Sequence, residues 1–495
     1  PMRNRHRTPI SRRFFLASSS AALAAGAMGG CANKAASPAP AIREGTRTWA
    51  SDRVRIAVVG VRGRGKDHVA ELAGIPNVEI AAICDIDSNV VGPAIRIVQE
   101  KQGRTPYFVQ DFRRILADRS IDAVSIATTN HWHSLQTIWA CQAGKDVYVE
   151  KPVSHNIFEG RRAVEAARKY DRIVQAGTQS RSSNSIKKTI AFVRSGKLGK
   201  LLYAQGLCYK RRKSIGHYDD EFVPPGVDYN LWLGPAPESA FNRNRFHYEW
   251  HWNWQYGNGD LGNQGIHQID VIRWGIGKGE LPGSAISLGG RFGYQDDGET
   301  PNTQISWMEY GPNDPKVLFE VRGLETEKER DIDVGVIFHC TDGFVTIPFS
   351  NVKPAAWSLK MEKLIEFAGQ EPDESHFTNF IDCVISRKQK DLAADIQEGH
   401  LSSALCHVAN ISYRLAEERP FTVDLPASSP SPLLETFERT CKHLKDNGCD
   451  LGQLQYRMGR ELKVDPRTER FFDNDDANGM VSRDYRLPFL VPQYV

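Results

Sequence analysis

Several features that mark other classes of protein are missing from this sequence of 495 residues. Its nine cysteines contain no Cys-x-x-Cys pair and no spacing typical of a zinc site, so most are interpreted as small buried apolar side chains. The net charge is only +3, and no basic block stands apart from acidic residues, which argues against nucleic acid as a partner. No internal repeat is visible along the chain.

The N-terminal residues have the composition of an export signal. Basic residues precede a short, weakly apolar run rich in Ala, Ser and Gly, which is too short to span a bilayer well, and a Pro/Ala-rich spacer follows. The hexapeptide Ser11-Arg12-Arg13-Phe14-Phe15-Leu16 resembles the twin-arginine signal of bacteria, which exports folded proteins. The sequence therefore predicts an export signal over residues 1–31, a linker over 32–51, and a periplasmic or membrane-anchored bacterial protein.

Export gives two groups of cysteines a possible role. Cys31 follows Met28-Gly29-Gly30 and resembles a lipoprotein cleavage site, so a lipid anchor is one expectation. Simple cleavage, with Cys31 lost or unused, is the alternative. Cys441 and Cys449 lie in a polar C-terminal segment and are candidates for a disulfide.

Strand-like and helix-like segments alternate after the linker. Short apolar runs begin at Val54, Val78, Ala123 and Asp146, and helix-like stretches lie between runs of this kind. This alternation predicts parallel βαβ units. We therefore expect an α/β fold whose N-terminal domain, over residues 52–178, is a doubly wound Rossmann sheet.

The pattern changes after Gln179. Apolar runs follow one another with turn-rich connections and few helices, as in a large, mostly antiparallel open sheet. The sequence thus predicts a C-terminal α+β domain over residues 179–427. The polar segment 428–495 is predicted to be a tail that packs on the domains.

A glycine-rich turn follows the first strand-like run. In such a turn, backbone N–H groups approach a pyrophosphate at a helix N-terminus, although Arg62 stands where the usual fingerprint has its second glycine. Asp85 ends the second run, where a carboxylate can bind ribose hydroxyls and repel a 2′-phosphate. NAD is therefore favoured over NADP. The predicted phosphate-binding residues are Gly60, Arg62, Gly63, Arg64 and Gly65.

The segment from 123 to 154 carries the motif Glu150-Lys151-Pro152 and resembles the Gfo/Idh/MocA family of glucose–fructose oxidoreductases and inositol dehydrogenases. The resemblance covers roughly residues 52–420. It implies an NAD(P)-dependent oxidoreductase that acts on a sugar hydroxyl, with Glu150 at the cofactor, Lys151 beside the nicotinamide, and assembly as a homo-oligomer. A buried lysine suits this chemistry, because burial lowers its pKa and lets it accept a proton or stabilise an alkoxide.

A second family motif is a glycine-rich helix start followed by Asp-x-Gly-x-His-x-x-Asp. The matching residues run from Asn263 through His267 to Asp270. His267 matches the family's catalytic histidine, and Asn263 replaces its aspartate. Asparagine can bind a sugar hydroxyl but cannot accept a proton, so we expect His267 and Lys151 to carry the acid–base chemistry.

The same resemblance suggests further neighbours of the cofactor and the substrate. Three residues match the loop that borders the nicotinamide ribose, namely Thr128, Asn130 and His131. Gln179 and Arg181 follow the last strand of the nucleotide domain and are candidates for the substrate cleft. A surface role for these two is the alternative.

Every even-numbered residue from Phe246 to Tyr256 is aromatic. His247, Glu249 and His251 alternate with them and suggest a metal site. In an extended segment, however, residues two apart lie about 6.6 Å apart, so one metal ion cannot readily bind all three. The sequence favours a largely structural aromatic wall, with Trp252 as the substrate-binding candidate and no metal.

Export of a nicotinamide enzyme predicts a tightly bound cofactor, because free NAD is not expected outside the cytoplasm. Hydride taken from one sugar must then be returned to a second sugar or to the same one. Plain sugar oxidoreduction is favoured, and a redox-assisted glycosidase that oxidises, eliminates, hydrates and reduces is the alternative. A non-catalytic sugar-binding lipoprotein is the alternative of another class.

Overall fold

A computed structural model describes residues 53–369, 372–422 and 425–495. The predicted export signal, the linker and Cys31 lie outside these residues. Within the described ranges, no helix is long and apolar enough to cross a membrane.

The first part of the chain forms a six-stranded parallel sheet, as expected for a Rossmann domain. Apolar β-branched residues fill its strands because helices cover both faces. The strands are β1 (Val54–Val59), β2 (Val78–Cys84), β3 (Tyr107–Val109), β4 (Ala123–Ile126), β5 (Asp146–Val149) and β6 (Val174–Ala176). The helices are α1 (Arg64–Ala73), α2 (Gly92–Gln102), α3 (Phe112–Ala117), α4 (Asn130–Gln142) and α5 (Ile157–Lys169). The strand order is β3-β2-β1-β4-β5-β6, so β1–β3 and β4–β6 are added to the sheet in opposite directions, and a crevice forms between β1 and β4.

The second part forms a twelve-stranded sheet that is antiparallel except for one parallel pair, residues 201–209 with 316–322. Its strands are β7 (Leu201–Tyr209), β8 (Ser284–Gly290), β9 (Thr303–Glu309), β10 (Lys316–Arg322), β11 (Val334–Cys340), β12 (Gly343–Pro348), β13 (Ala355–Ser358), β14 (Lys363–Glu366), β15 (Glu417–Pro420), β16 (Gln455–Met458), β17 (Leu462–Asp465) and β18 (Arg470–Phe471). Eight helices accompany it: α6 (Asn184–Arg194), α7 (Tyr229–Leu233), α8 (Gly259–Asn263), α9 (Gly265–Ile276), α10 (His376–Ser386), α11 (Ile396–Arg414), α12 (Ser431–Asp446) and α13 (Asp475–Gly479). The predicted α/β class, with a Rossmann sheet and a large antiparallel sheet, is confirmed.

The C-terminal residues are an integral part of both sheets' cores. β16 and β17 both pair with β8 and extend the large sheet. Phe489 packs in the core of the nucleotide-binding sheet, and Phe377 and Phe380 of α10 cover that sheet's other face. Residues after 428 therefore pack on the rest of the chain and complete two hydrophobic cores.

The aromatic segment is not extended, so the strand geometry assumed for it is wrong. A short 3₁₀ helix spans Glu249–Trp252, and sequence alternation does not produce alternating faces there. Three of the rings, Phe246, Trp250 and Tyr256, pack in one apolar cluster with Trp232, whereas Tyr248 is exposed. Most of the wall supports the fold, because buried aromatic area stabilises packing.

Cys441 and Cys449 do not form the suspected disulfide. Cys449 is a free thiol, and it packs beside Cys441 against the apolar cluster under α12. The two residues therefore fill space in a core, as the other described cysteines do.

Candidate functional site

A cleft of about 480 Å³ runs along the carboxyl ends of the parallel strands, where ligands bind in doubly wound sheets. The second domain closes its other side. The predicted residues that line it are Gly60, Arg62, Gly63, Arg64, Asp85, Thr128, Asn130, Glu150, Lys151, Gln179, Asn263 and His267. One cavity thus brings together the glycine turn, the strand-end carboxylates and the Glu-Lys-Pro motif.

The glycine turn leaves room for a ligand to approach the backbone. Gly60 has a φ of +81°, and a Cβ there would lie 2.7 Å from the carbonyl oxygen of Ala127. A Cβ on Gly65 would lie 1.7 Å from the oxygen of Gly60, so this residue permits close packing of α1 against the turn and does not line the cleft. Gly63, at the N-terminus of α1, has nothing within 4 Å of its Cβ position. The turn therefore fits a pyrophosphate at this helix end.

Asp85 lies at the end of β2, at the far end of the cleft. Its carboxylate accepts hydrogen bonds from the N–H groups of Val61, at 2.7 Å, and Asp87, at 3.0 Å. Burial nevertheless raises the pKa of Asp85 to about 6. The group is therefore mostly ionised at neutral pH and can bind the ribose hydroxyls.

Glu150 and Lys151 form the floor of the cleft at the end of β5. Glu150 is buried, and its Oε1 accepts hydrogen bonds from Arg64 Nε at 3.1 Å and His68 Nε2 at 3.0 Å. Although burial opposes ionisation, the bond from His68 and the charges of Arg64 and Lys151 hold the pKa of Glu150 well below its usual range. Glu150 is therefore a fixed negative charge beneath Lys151, and it anchors Arg64 near the phosphate turn.

The ammonium group of Lys151 points to the start of α9. Its Nζ donates to the backbone oxygen of Asn263 at 2.9 Å and to Asn263 Oδ1 at 3.3 Å. Burial, followed by the nearby charges of Arg64, Lys210 and Arg212 and opposed by Glu150, lowers the pKa of Lys151. The lysine can therefore lose its proton nearer to neutral pH than a surface lysine.

His267 lies beside this lysine, one turn after Asn263. No described residue hydrogen-bonds to its imidazole, which lines the cleft. Burial and the charge of Lys151 lower the pKa of His267 to about 3, so the ring is neutral at pH 7. It can accept or donate one hydrogen bond to a bound hydroxyl.

Four further predicted residues line the cleft. Two of them already use their side-chain polar atoms in hydrogen bonds within the protein. Thr128 Oγ1 donates to Gln136 Oε1 at 2.7 Å, and Asn130 Nδ2 donates to Asn258 Oδ1 at 3.2 Å. Arg62 is exposed at the mouth near Asp85, and Gln179 begins the 3₁₀ turn after β6. They shape the walls between the two ends of the cavity.

Besides Gly65, three predicted residues do not line the cleft. His131 is fully buried, and its Nε2 lies 2.9 Å from the backbone oxygen of Trp232. Arg181 forms a buried ion pair with Asp270, with Nε to Oδ2 at 2.8 Å. Trp252 donates from Nε1 to Glu249 Oε2 at 2.9 Å. Each side chain is held by internal partners, which local sequence does not show.

The sequence missed several residues that shape the site. The segment 246–251 of the second domain crosses the cleft, with His247, Tyr248 and His251 among its lining residues. His251 is buried, with its Nδ1 2.5 Å from the backbone oxygen of Tyr248. His68 on α1 bonds Glu150 from below. The His-Glu-His spacing suggested a metal site, which strand geometry disfavoured, so these three residues were not predicted to bind cofactor or substrate.

His247 and Asp87 approach each other across the adenosine end of the cleft, with 3.6 Å between His247 Nε2 and Asp87 Oδ2. His247 has a φ of +53°, and it comes from the second domain whereas Asp87 belongs to the first. In the part of the chain that the structure covers, no group of three or more His, Cys, Asp or Glu side chains is arranged to hold a metal ion.

The glycine turn, the ribose-side carboxylate and the open strand-end cleft together fit a nicotinamide dinucleotide. Gly60, Gly63 and Arg64 would hold its pyrophosphate, and Asp85 would hold its adenosine ribose. Lys151 and His267 line the same cleft, beside Asn263 at the start of α9.

Comparisons with known proteins agree with this arrangement. Residues 54–178 match the Gfo/Idh/MocA oxidoreductase family, described as its NAD-binding Rossmann fold, and residues 186–311 match the C-terminal α/β domain of that family. A curated relative, glycosyl hydrolase family 109 protein 1 of Akkermansia muciniphila, is 31% identical over 168 residues, which cover 32% of this chain and 34% of that protein. The match thus spans about a third of the curated relative.

Solved structures share the fold at low sequence identity. The WlbA dehydrogenase of Bordetella pertussis, solved with NADH and UDP-GlcNAcA, has a TM-score of 0.53 and 20% identity over 73% of this chain and 97% of that one. The aldose-aldose oxidoreductase of Caulobacter crescentus, solved with glycerol, has a TM-score of 0.54 and 16% identity over 83% and 100% of the two chains. The two family matches, over residues 54–178 and 186–311, together span about half of the chain, and this chain belongs to the Gfo/Idh/MocA oxidoreductase family.

Proposed function

We propose that this protein is an NAD-dependent oxidoreductase that acts on a CH–OH group of a sugar or sugar derivative. The observation that carries the proposal is the placement of Lys151, with its Nζ 2.9 Å from the Asn263 backbone oxygen and His267 beside it, in the same cleft as the glycine turn and Asp85. The names of the relatives and of the similar structures support a carbohydrate substrate.

Lys151 and His267 are suited to different roles in removing the proton of the substrate hydroxyl. A bound nicotinamide supplies the hydride acceptor. As the carbinol C–H bond breaks, the hydroxyl proton must leave, and a lysine with a lowered pKa can accept it. His267, whose pKa is about 3, is a weak base and is better suited to orient the hydroxyl by a hydrogen bond. Lys151 is therefore the proposed proton acceptor, and both residues touch the substrate.

The proposed function is tested by two measurements on the purified chain. Mass spectrometry of the supernatant after denaturation should find NAD or NADH, and a panel of sugars should yield keto-sugar products. Export with a cofactor retained from the cytoplasm is part of the proposal, and the segment 246–251 that crosses the cleft supports it. Protein that carries no nicotinamide yet readily turns over added NAD would contradict retention but not oxidoreduction. A chain that binds sugars without any turnover would support the binding-protein alternative.

The preference for NAD over NADP is proposed to depend on the charge of Asp85. Asp85→Asn keeps an acceptor for one of the two backbone N–H groups but removes the repulsion of a 2′-phosphate. We expect the ratio of kcat/KM for NAD over NADP, measured with cofactor-depleted protein, to fall by about tenfold, which corresponds to about 1.4 kcal/mol. Asp382→Asn, an exposed substitution on α10, is the matched control. An unchanged ratio in Asp85→Asn would assign the preference to other residues.

Asn263 is proposed to keep the pKa of Lys151 low. Asn263→Asp would place a carboxylate where Oδ1 now lies 3.3 Å from Nζ, and a nearby negative charge favours the charged lysine. We therefore expect the rise of the oxidation rate with pH to shift upward by about one pH unit or more. Gln264→Glu is the control, since the Gln264 side chain contacts Lys210 Nζ at 3.4 Å and not Lys151. A profile that does not move in Asn263→Asp would exclude Lys151 as the titrating group.

A redox-assisted glycosidase is the second candidate function. The matched relative from Akkermansia muciniphila is named a glycosyl hydrolase, and the same Lys151 could act in both chemistries. The two are separable in deuterated water. Elimination next to the oxidised carbon would place deuterium on the neighbouring carbon of the released sugar, whereas plain oxidoreduction would leave that carbon unlabelled.

A further inference from the structure

A second cavity, of about 530 Å³, lies on the far side of the segment that follows Lys151. It is enclosed by the C-terminal part of α11, residues 479–484 and the loop before α8. None of its lining residues lines the cofactor cleft. Its volume is within the range of small-molecule sites in proteins.

Buried hydrogen-bonding groups without partners surround this cavity. His155 lines it and is only 8% exposed, yet neither Nδ1 nor Nε2 has a hydrogen-bond partner. Arg483 also lines it and donates from Nη1 to the oxygen of Gln255 at 2.7 Å. Its Nε and Nη2 have no hydrogen-bond partner. Such groups are costly to bury, so they indicate a missing acceptor.

The amide side chains in the wall are already engaged. Asn258 Nδ2 donates to the oxygen of His155 at 3.1 Å, and Asn410 Nδ2 donates to the oxygen of Asn258 at 2.9 Å. Asn156 Nδ2 donates to Glu159 Oε1 at 2.9 Å. The capacity that remains is therefore that of the Arg483 guanidinium, which only donates, and of the His155 imidazole, which when neutral has one donor and one acceptor.

The charges around the cavity favour an anion. Arg414 stands at the mouth, with its guanidinium carbon 5.2 Å from the ring centre of Trp254. The only carboxylate that lines the described cavity is the exposed Asp484. Glu159 lies behind Arg483, with 3.7 Å between Oε1 and Nε, and offsets part of its charge. Two guanidinium groups thus face one exposed carboxylate.

We propose that this cavity binds a small organic oxyanion, a carboxylate or phosphate monoester of about the size of a monosaccharide. Nη2 of Arg483 has no hydrogen-bond partner and can donate to an oxygen of such a group, while Nε remains 3.7 Å from Glu159 Oε1. His155 adds a second polar contact, Arg414 lines the cavity, and the indole of Trp254 offers an apolar wall. This site is separate from the proposed catalytic cleft and does not depend on it.

Isothermal titration calorimetry of the full chain with its bound cofactor tests the proposal. The probes are glucuronate for a carboxylate, glucose 6-phosphate for a phosphate ester, inorganic phosphate, and glucose as the neutral comparison. We expect at least one of the two anionic sugars to bind, and glucose to bind at least about tenfold more weakly. Binding of glucuronate would identify the oxyanion as a carboxylate, and binding of glucose 6-phosphate would identify it as a phosphate ester. Binding of inorganic phosphate alone would contradict an organic ligand.

Two variants assign the binding to the cavity. Arg483→Gln and Arg414→Gln should each weaken the anionic sugar by about tenfold or more, without changing the nicotinamide content. Arg467→Gln, whose parent side chain is 92% exposed in another region, is the control and should bind as the parent does. Arg414 is exposed, so we expect Arg414→Gln to fold even if Arg483→Gln does not. The proposal is overturned if neither anionic sugar binds, or if Arg414→Gln binds it as tightly as the parent.

Discussion

Lys151→Met is expected to lower kcat/KM for sugar oxidation by about 1,000-fold or more, because it removes the proposed proton acceptor and a cation beside the reacting oxygen. Methionine has nearly the same length and lacks the charge. The side chain contacts Asn263 and lies above the buried Glu150, so the loss should arise in the chemical step. The nicotinamide content should remain as in the parent, because the glycine turn and Asp85 are untouched.

The measurement is the initial rate of sugar oxidation as a function of pH, together with the nicotinamide content of each preparation. In the parent, the rate should rise with pH as Lys151 loses its proton. This rise should be absent in Lys151→Met. Lys442→Met, at a lysine that is 71% exposed on α12, is the matched control and should leave both quantities unchanged. Turnover in Lys151→Met equal to that of the parent would refute the proposed chemistry.

The residues that the sequence placed at the carboxyl ends of the parallel strands line one cleft. Gly60, Asp85 and Lys151 each directly follow or end an apolar strand-like run, and in a parallel sheet such positions meet at one edge. The local pattern therefore fixes their neighbourhood without knowledge of the rest of the chain. Asn263 and His267 were named by a different route, the resemblance to the family motif before α9, and both line the same cleft.

Local sequence patterns could not predict where a side chain lies when its position depends on a partner far away in the chain. His131 follows Asn130 by one residue, yet it turns away from the cleft to the backbone of Trp232, which is 101 residues later. Arg181 was expected near the substrate, but Asp270 and Glu398 hold its guanidinium. In both cases, a buried polar group found a partner from another part of the chain, and no short window of sequence contains that information.

The aromatic segment shows a different limit. Alternation of rings and polar residues is a strand pattern only if the backbone is extended, and here a 3₁₀ turn at Glu249–Trp252 replaces the strand. Turns of this kind depend on tertiary packing, in this case around Trp232 and Tyr256. The C-terminal strands β16 and β17 were missed for a related reason, since they are four residues each and are stabilised by β8.

Two substitutions of His267 should show whether its imidazole orients the substrate hydroxyl or accepts its proton. If the imidazole orients the hydroxyl, as its pKa of about 3 indicates, His267→Ala should lower kcat/KM by about 100-fold. His267→Gln should then recover activity to within about tenfold of the parent, because an amide can form the same hydrogen bond but cannot carry the proton.

The pH profile of the His267 variants provides the decisive comparison. A neutral imidazole contributes no charge to Lys151 at neutral pH, so its replacement by Ala or Gln should lower the plateau of the profile without moving the lysine limb. Asn478→Ala, at a residue whose amide bonds Phe471 far from the cleft, controls for the effect of losing a polar side chain. Equal losses in His267→Gln and His267→Ala, with a displaced limb, would instead make His267 the group that takes the proton.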